Sequence, residues 1–310
     1  MKRLINRLIQ LVITLIGVSF LTFCLTYLSP GDPAAMVLEA SDTIVSQEVI
    51  EQTREEMGLN DPFLVQYGNW LLGVVQGDMG ISYSTKKPVM EKLMDGFAGT
   101  VLLALTTIIL IMVISIPLGI FSATHRNKIP DFLVRIFSFI GVSIPSFWVG
   151  LILLYIFGLK LGLVPIATAK VSFSGLVLPA LTLAIYQSAK YTRQVRTVIL
   201  DELHQDYVIG ARARGLSEKA ILWKHILPNA ILPLITLLGM SIGWLLGGVA
   251  VIETVFSWPG IGKIAVQAIT MRDYPLIEGI VLWIATAYTV INFLVDLSYS
   301  YLDPRIKKEN

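Results

Sequence analysis

The sequence predicts an all-α polytopic membrane protein with six transmembrane helices, on three observations. Only 15% of the residues are charged and 55% are hydrophobic, whereas a soluble domain carries about 25% charged residues. The mean hydropathy is +0.71. Apolar runs of about twenty residues recur along the chain, and each can cross about 30 Å of hydrocarbon at about 1.5 Å per residue. The net charge of +2 decides little by itself. The single cysteine, Cys24, excludes an intramolecular disulfide and a cysteine metal cluster.

Residues 1–28 form the first transmembrane helix. Lys2, Arg3 and Arg7 precede an apolar run too long for the core of a signal peptide, and no small-residue cleavage site closes it. Pro30-Gly31-Asp32-Pro33 ends this span, with two fixed φ angles beside a flexible glycine. Residues 29–100 follow as one long extracytoplasmic segment. Within it, residues 49–57 read as a short amphipathic helix with Gly58 at C′. Asn60-Asp61-Pro62 starts a second one through Tyr67 and Trp70, with the proline at N1. These aromatic residues suit an interfacial position. The segment either caps the bundle or also meets an external protein.

The remaining spans are residues 101–123, 132–157, 176–199, 230–252 and 276–299. Residues 101–299 thus form a five-helix core, and residues 300–310 a cytoplasmic tail. Pro117 and Pro145 interrupt two spans, and a simple kink is expected at each.

An even number of spans puts both termini on one side. That side collects Lys2, Arg3, Arg7, Arg126, Lys128, Arg135, Lys190, Arg193, Arg196, Arg212, Arg214, Lys219, Lys224, Arg305, Lys307 and Lys308, which are 16 of the 24 basic residues. The positive-inside rule makes it the cytoplasm.

In the fifth span Gly239, Gly243 and Gly247 recur every four residues and share one helix face. With no side chain there, another helix can approach closely, within this chain or from a second subunit. Glu253 to Lys263 then holds too many turn formers for a span and suggests a re-entrant or interfacial hairpin. Gly260-x-Gly262-Lys263 is not a phosphate loop. Ser257 stands where that pattern needs glycine, and Ile264 where it needs Ser or Thr.

Catalytic chemistry is not legible. His125, His204 and His225 all fall in loops, without a Cys or His partner at metal-ligand spacing, so no metal site is expected. No nucleophile elbow or triad can be argued, and nothing points to nucleic acid. Asp296, one turn after Asn292, is the clearest intramembrane acid, and pairing with a loop arginine is the simpler reading of it. Modest polarity therefore lines any pathway, with Ser143, Ser146, Gln187, Ser188, Ser241 and Thr286 as translocation candidates, beside Thr107, Ser115 and Thr182.

The loop at 200–228 is the most informative segment. Residues 200–214 are helix-compatible and Gly215 breaks the run. Ser217 caps a helix from Glu218 toward Ile226, which exposes Ile221 and Leu222 and ends at Pro228. Ala211, Ala213, Gly215 and Leu216 are small or apolar where a solvated loop prefers charge. Such a protrusion suits insertion into a partner's cleft.

Asp206-Tyr207-Val208 followed by Ala211-Arg212-Ala213-x-Gly215 resembles the coupling loop of binding-protein-dependent ABC importer permeases, in the oligopeptide/dipeptide/nickel branch. The family's more general Glu-Ala-Ala opening falls on Ile209, Gly210 and Ala211, so its glutamate is absent, while the closing Leu227-Pro228 is present. Further marks of the branch are Pro30-Gly31-Asp32-Pro33, Gly58-Leu59-Asn60-Asp61-Pro62, Gly77-Asp78-Met79-Gly80, Trp258-Pro259-Gly260-Ile261-Gly262, Arg272-Asp273-Tyr274-Pro275 and Asp303-Pro304-Arg305.

The resemblance implies a non-catalytic pore subunit in the bacterial cytoplasmic membrane. Its implied partners are a homologous second permease, two cytoplasmic ATPases and an extracytoplasmic substrate-binding protein. ATP and Mg2+ would sit on the ATPases, with no cofactor on this chain. Tyr207, Gly210, Ala211, Arg212, Ala213, Arg214, Gly215 and Leu216 would couple to the ATPase. The stretch from His125 to Leu154 resembles nickel-import permeases most, which leads to a nickel or metal-chelate substrate. Dipeptides or oligopeptides are the alternative. A self-sufficient channel or secondary transporter, or a purely structural subunit, are readings of other classes.

Overall fold

The computed structural model describes residues 2–39, 46–168 and 170–302. The first apolar run is α1 (Lys2–Tyr27), followed by the short helices α2 (Pro33–Glu39), α3 (Gln47–Glu56) and α4 (Phe63–Val75). Then come α5 (Val89–Thr124), α6 (Ile129–Ser143) and α7 (Ser146–Leu153), the last continued by a π-helical segment, Leu154–Lys160. Next are α8 (Phe173–Leu203), α9 (Asp206–Ala213) and α10 (Glu218–Ile221), which passes through a second π-helical segment, Leu222–Ile226, into α11 (Leu227–Val255). α12 (Ile261–Thr270) and α13 (Tyr274–Leu302) complete the chain.

Five of the expected spans each fall on one helix, whereas residues 132–157 fall on two, α6 and α7, and not all are equally apolar. Among the described residues, four stretches are long and apolar enough to cross a membrane: Ile9–Tyr27, Val89–Thr124, Glu218–Gly239 and Tyr274–Val295. The α6 and α7 pair makes a fifth if it is one broken span. α8 covers the expected fourth span and is not among them. Its inward face carries Thr182, Gln187, Ser188 and Thr192, all buried, and Lys190, Arg193 and Arg196 dilute its second half.

Several expectations are corrected. At Ser143–Pro145 the chain does not kink but turns by 96°. Pro145 holds extended residue Ile144 before it (φ −100°, ψ 131°), and the helix restarts at Ser146. Pro117, where a kink is expected, lies inside the helical run of α5, as do Pro179 in α8 and Pro233 in α11. Pro62 is the N-cap of α4 rather than its first residue. α5 begins at Val89, so the segment at 29–100 already contains its first turns. The helix preceding the expected hairpin runs on to Val255 and buries Glu253. It ends where Ser257 adopts φ 52°, and the Trp258 amide reaches back to the Glu253 carbonyl at 2.7 Å.

The chain packs as two units. In one, residues up to Gly99 pack with Pro259–Thr289. Here α4 lies on α1 through rings: Phe63 meets Tyr27 at 5.0 Å between centroids, and Tyr67 meets Phe20 at 5.3 Å. Tyr67 Oη and Ser19 Oγ share a hydrogen bond of 2.9 Å, which satisfies both inside an apolar contact. Met79, Val89, Leu93, Ile261, Leu276 and Ile280 form the core of this unit.

In the other unit, Thr100–Trp258 pack with the described residues 290–302. α8 is its centre and packs against α6, α7 and α11. A Cβ on Gly141 of α6 would lie 2.5 Å from the Ala189 Cβ of α8, so the two helices meet with almost no side chain between them.

Candidate functional site

The protrusion between α8 and α11 is built from local signals. α8 closes at His204, whose Nδ1 lies 2.6 Å from the Leu200 carbonyl oxygen and so carries the proton. Its Nε2 accepts from Arg126 at 3.3 Å. α9 ends on Gly215 at φ 78°, a left-handed position that disfavours a Cβ. There the Gly215 amide donates to the Arg212 carbonyl at 2.9 Å and the Leu216 amide to the Ala211 carbonyl at 3.3 Å, the paired closure of a Schellman turn. Ser217 Oγ accepts from the Ala220 amide at 3.3 Å and starts α10.

Pro228 does not end this helix, contrary to expectation. The π-helical segment at Leu222–Ile226 widens the backbone just before the proline ring. Asn229 Nδ2 then donates to the His225 carbonyl at 2.7 Å, and the chain continues into α11.

One face of the protrusion is core. Val208, Ala211, Ile221 and Ile226 are fully buried with Ile111, Tyr191, Val195 and Ile199. This corrects two expectations. Ile221 is not exposed, and Ala211 cannot itself touch a partner, because α9 turns it inward against α8. The outer face carries Ile209, Gly210, Arg212, Ala213, Arg214, Gly215 and Leu216, with Tyr207 at the margin. A Cβ at Gly210 or Gly215 would meet nothing within 4 Å. Arg212 holds Glu218 through two contacts of 2.7 and 3.0 Å, which ties α9 to α10 across the turn. Tyr207 Oη donates to Glu202, and burial first, then that carboxylate, pushes the phenol up to about 12.

The pathway candidates are dispersed. Ser143 and Ser146 flank the α6–α7 break, and Ser143 Oγ donates to the Phe139 carbonyl at 2.8 Å. Gln187 and Ser188 are buried on α8, and neither Gln187 Oε1 nor Ser188 Oγ has a hydrogen-bond partner. Thr107 Oγ1 and Thr192 Oγ1 share that state. Ser241 and Thr286 donate back to Leu237 and Leu282 on their own helices. Gly239 packs within the chain, since a Cβ there would lie 2.7 Å from Val295 Cγ2. The surroundings of Gly243 and Gly247 lie outside the described residues, as do the side chain of Asp296 and the tail from residue 303.

Three carboxylates escaped sequence reasoning. Asp131 on α6 is fully buried and takes Arg196 Nε and Nη2 at 2.8 and 2.9 Å, with Ser122 Oγ at 2.5 Å and the Asn127 amide at 2.9 Å. Asp273, fully buried, accepts from Ser82 Oγ (2.6 Å), the Ser84 amide (3.0 Å) and hydroxyl (2.7 Å), and the Tyr83 amide (3.0 Å). Its place depends on Arg272, whose φ of 53° closes α12 and turns the next residue inward. Glu278, 5% exposed, accepts from Thr26. The available signal was an acid at the margin of an apolar run, which is costly to bury and so asks for a partner. The partners themselves are far away in sequence.

A set of long apolar helices and a packed protrusion define a multispanning membrane component. Comparison with known proteins makes this specific. Residues 115–308 match the family described as the binding-protein-dependent transport system inner membrane component, and residues 1–106 match the N-terminal region of such membrane components. The chain belongs to this family: it is an inner-membrane permease subunit of an ABC importer.

Among its relatives, it is 40% identical over 314 residues to the oligopeptide transport system permease protein AppB of Bacillus subtilis (strain 168), covering 98% of each chain. It is 36% identical to the dipeptide transport system permease protein DppB of Alkalihalophilus pseudofirmus, over 97% of this chain and 98% of the relative. It is also 36% identical to the glutathione transport system permease protein GsiC of Escherichia coli (strain K12), over 98% of each. Its fold is similar to a chain of the inward-facing MetNI methionine ABC transporter, with a TM-score of 0.58 at 20% identity, covering 69% of this chain and 97% of that one.

Proposed function

We propose that this chain is one half of the pore of a peptide importer, with six spans and both termini in the cytoplasm. The observation that carries the substrate class is the set of oligopeptide, dipeptide and glutathione permeases to which it is similar over nearly its whole length. Peptides therefore stand ahead of the nickel chelate that the His125–Leu154 stretch suggested. The pore is completed by a second, homologous permease. Two cytoplasmic ATPases carry ATP and Mg2+, and an extracytoplasmic binding protein supplies the substrate.

The packing supports a mechanism of alternating access. Val208, Ala211, Ile221 and Ile226 share one buried cluster with Tyr191, Val195 and Ile199. A pull on the protrusion is therefore a pull on α8, because a close-packed cluster does not deform gradually. The outer residues Tyr207, Gly210, Arg212, Ala213, Arg214, Gly215 and Leu216 form the surface an ATPase grips, over the buried Ala211. Gln187 Oε1 and Ser188 Oγ, buried without partners, each forgo about 1–3 kcal/mol of solvation. A state in which α8 turns them toward a wet pathway relieves that cost, and it would draw in Ser143, Ser146, Ser241 and Thr286.

Gly215→Asp tests the coupling. It should abolish uptake and prevent the ATPase from co-purifying, whereas Gly215→Asn, which accepts a left-handed backbone, should keep the fold and lose less. Normal co-purification and substrate-stimulated hydrolysis in Gly215→Asp would refute the assignment. Deleting the gene tests the substrate: uptake of a labelled dipeptide should fall while cell nickel content holds. The reverse pattern restores the nickel reading.

A further inference from the structure

In the unit formed by residues up to Gly99 and Pro259–Thr289, a cavity of about 360 Å³ opens beside the end of α1, the α3–α4 turn and the start of α13. Small-molecule sites occupy about 300–1,000 Å³, so the volume suits a ligand. Its wall carries opposite charges. Glu278, on the first turns of α13, is 5% exposed and, among the described residues, accepts one hydrogen bond, from Thr26 to Oε1. A carboxylate withdrawn from water with one hydroxyl partner is costly until a cation joins it. Asp273 nearby in sequence is different, because amides and hydroxyls from residues 82–84 saturate it.

Arg54 of α3 supplies the other sign. Its ion pairs are loose: Nε lies 3.5 Å from Asp32 Oδ2, and Nη1 lies 3.6 Å from Glu51 Oε2. Arg54 Nε has no hydrogen-bond partner, although a guanidinium is built to bind a carboxylate through two parallel N–H groups. Aromatic rings of Phe23, Tyr27, Tyr83 and Tyr274 line the same cavity. Ring faces attract ammonium groups. Burial first, and then the charges of Glu278 and Asp273, hold the Tyr83 phenol well above its ordinary pKa, so it remains a neutral donor.

We infer that this cavity binds the zwitterion of a short unblocked peptide, its ammonium on Glu278 and its carboxylate on Arg54. The inference rests on the peptide-import reading and adds a site on the permease itself. The same chemistry would also attract a phosphatidylethanolamine headgroup, so the test separates the two.

The full chain with its partner subunits, but without the binding protein, is placed in nanodiscs of phosphatidylglycerol, and binding of radiolabelled dialanine is measured. Saturable binding is expected. N-acetyl-dialanine and dialanine amide should each compete about tenfold or more weakly than dialanine, the cost of losing one charge-assisted contact. Glu278→Gln, which keeps an acceptor for Thr26, and Arg54→Gln should weaken binding similarly. The capped peptides act on the unaltered protein, so a misfolded variant leaves the test intact. Competition by both capped peptides as strong as that of dialanine itself, or no saturable binding, would overturn the inference. So would displacement of dialanine by phosphatidylethanolamine in the disc, which would make the occupant a lipid. Dialanine uptake by the complete transporter is measured in parallel. Uptake without permease binding rejects this site alone, and absence of peptide uptake rejects the import reading.

Discussion

The carboxylate of Asp131 on α6 takes Arg196 on α8 through two parallel contacts, 2.8 Å to Nε and 2.9 Å to Nη2. Asp131 is fully buried and the Arg196 side chain is 18% exposed. Fork-to-fork geometry fixes orientation as well as distance, so the pair locks α6 to the helix that leads into the protrusion. Any pull transmitted along α8 reaches α6 through this contact.

Removing one partner should therefore cost more than removing both. Arg196→Met leaves a buried carboxylate with only the looser Arg135, whose Nε lies 3.8 Å from Oδ2, and should destabilise the protein by up to about 3–5 kcal/mol. The double variant Asp131→Leu/Arg196→Met should unfold at a higher temperature than Arg196→Met alone. Thermal unfolding in detergent checks this, and equal midpoints for the single and double variants would show that the pair is not the tie.

The second prediction concerns the loop that Asp273 organises. Residues 82–84 donate two amides and two hydroxyls to one carboxylate, and Ile81 pairs with Pro88 across the loop. Asp273→Asn removes the charge and turns one acceptor into a donor facing donors. Trypsin should then cleave after Lys86 several-fold faster, read by mass spectrometry of timed digests; Lys87 precedes Pro88 and is not a cleavage site. Unchanged cleavage would mean the loop is held by other contacts.

Close packing at Gly239 makes a third. A Cβ there would lie 2.7 Å from Val295 Cγ2 and 2.9 Å from Cγ1, and a β-branched side chain has little rotamer freedom in a helix with which to yield. Gly239→Ala should destabilise by about 1–3 kcal/mol through overpacking. Adding Val295→Ala should recover part of that loss. Gly210→Ala offers the contrast, because nothing lies within 4 Å of a Cβ there. It should stabilise α9 by about 0.5–1 kcal/mol, and a loss of transport in that variant would mark a partner's surface.

A fourth prediction concerns Tyr207. Its phenol donates to Glu202, and burial with that neighbour raises its pKa to about 12. The fold thus favours the protonated form. The stabilisation is whole below the ordinary tyrosine value of about 10 and is lost as pH rises through about 12. Comparing tyrosinate absorbance of the native protein and Tyr207→Phe should show one phenol ionising late. If the difference spectrum titrates near the ordinary value, the hydrogen bond is not maintained in solution.

Much of the protein was legible before any coordinates. Apolar length alone marks α1, α5, α11 and α13, since twenty consecutive apolar residues have few other uses. Gly215 and Ser217 mark the turn and cap of the protrusion, because left-handed φ and side-chain capping are local properties. Prolines were not legible. Pro117, Pro179 and Pro233 sit inside continuous helices, whereas Pro145 stands at a 96° turn. A proline frees one carbonyl wherever it stands, and its neighbours in space decide whether the helix continues.

What the sequence determined by itself was therefore the helical membrane class, the turn and cap at Gly215 and Ser217, and the family. Those follow from interactions within a few residues and from motifs read in order. Tertiary structure decided that Ala211 and Ile221 face inward, that α8 lies at the centre of its packing unit, and that Asp131, Asp273 and Glu278 find their partners. These outcomes depend on contacts between residues tens to hundreds of positions apart. A buried charge reveals its role only when the group that compensates it has been brought beside it.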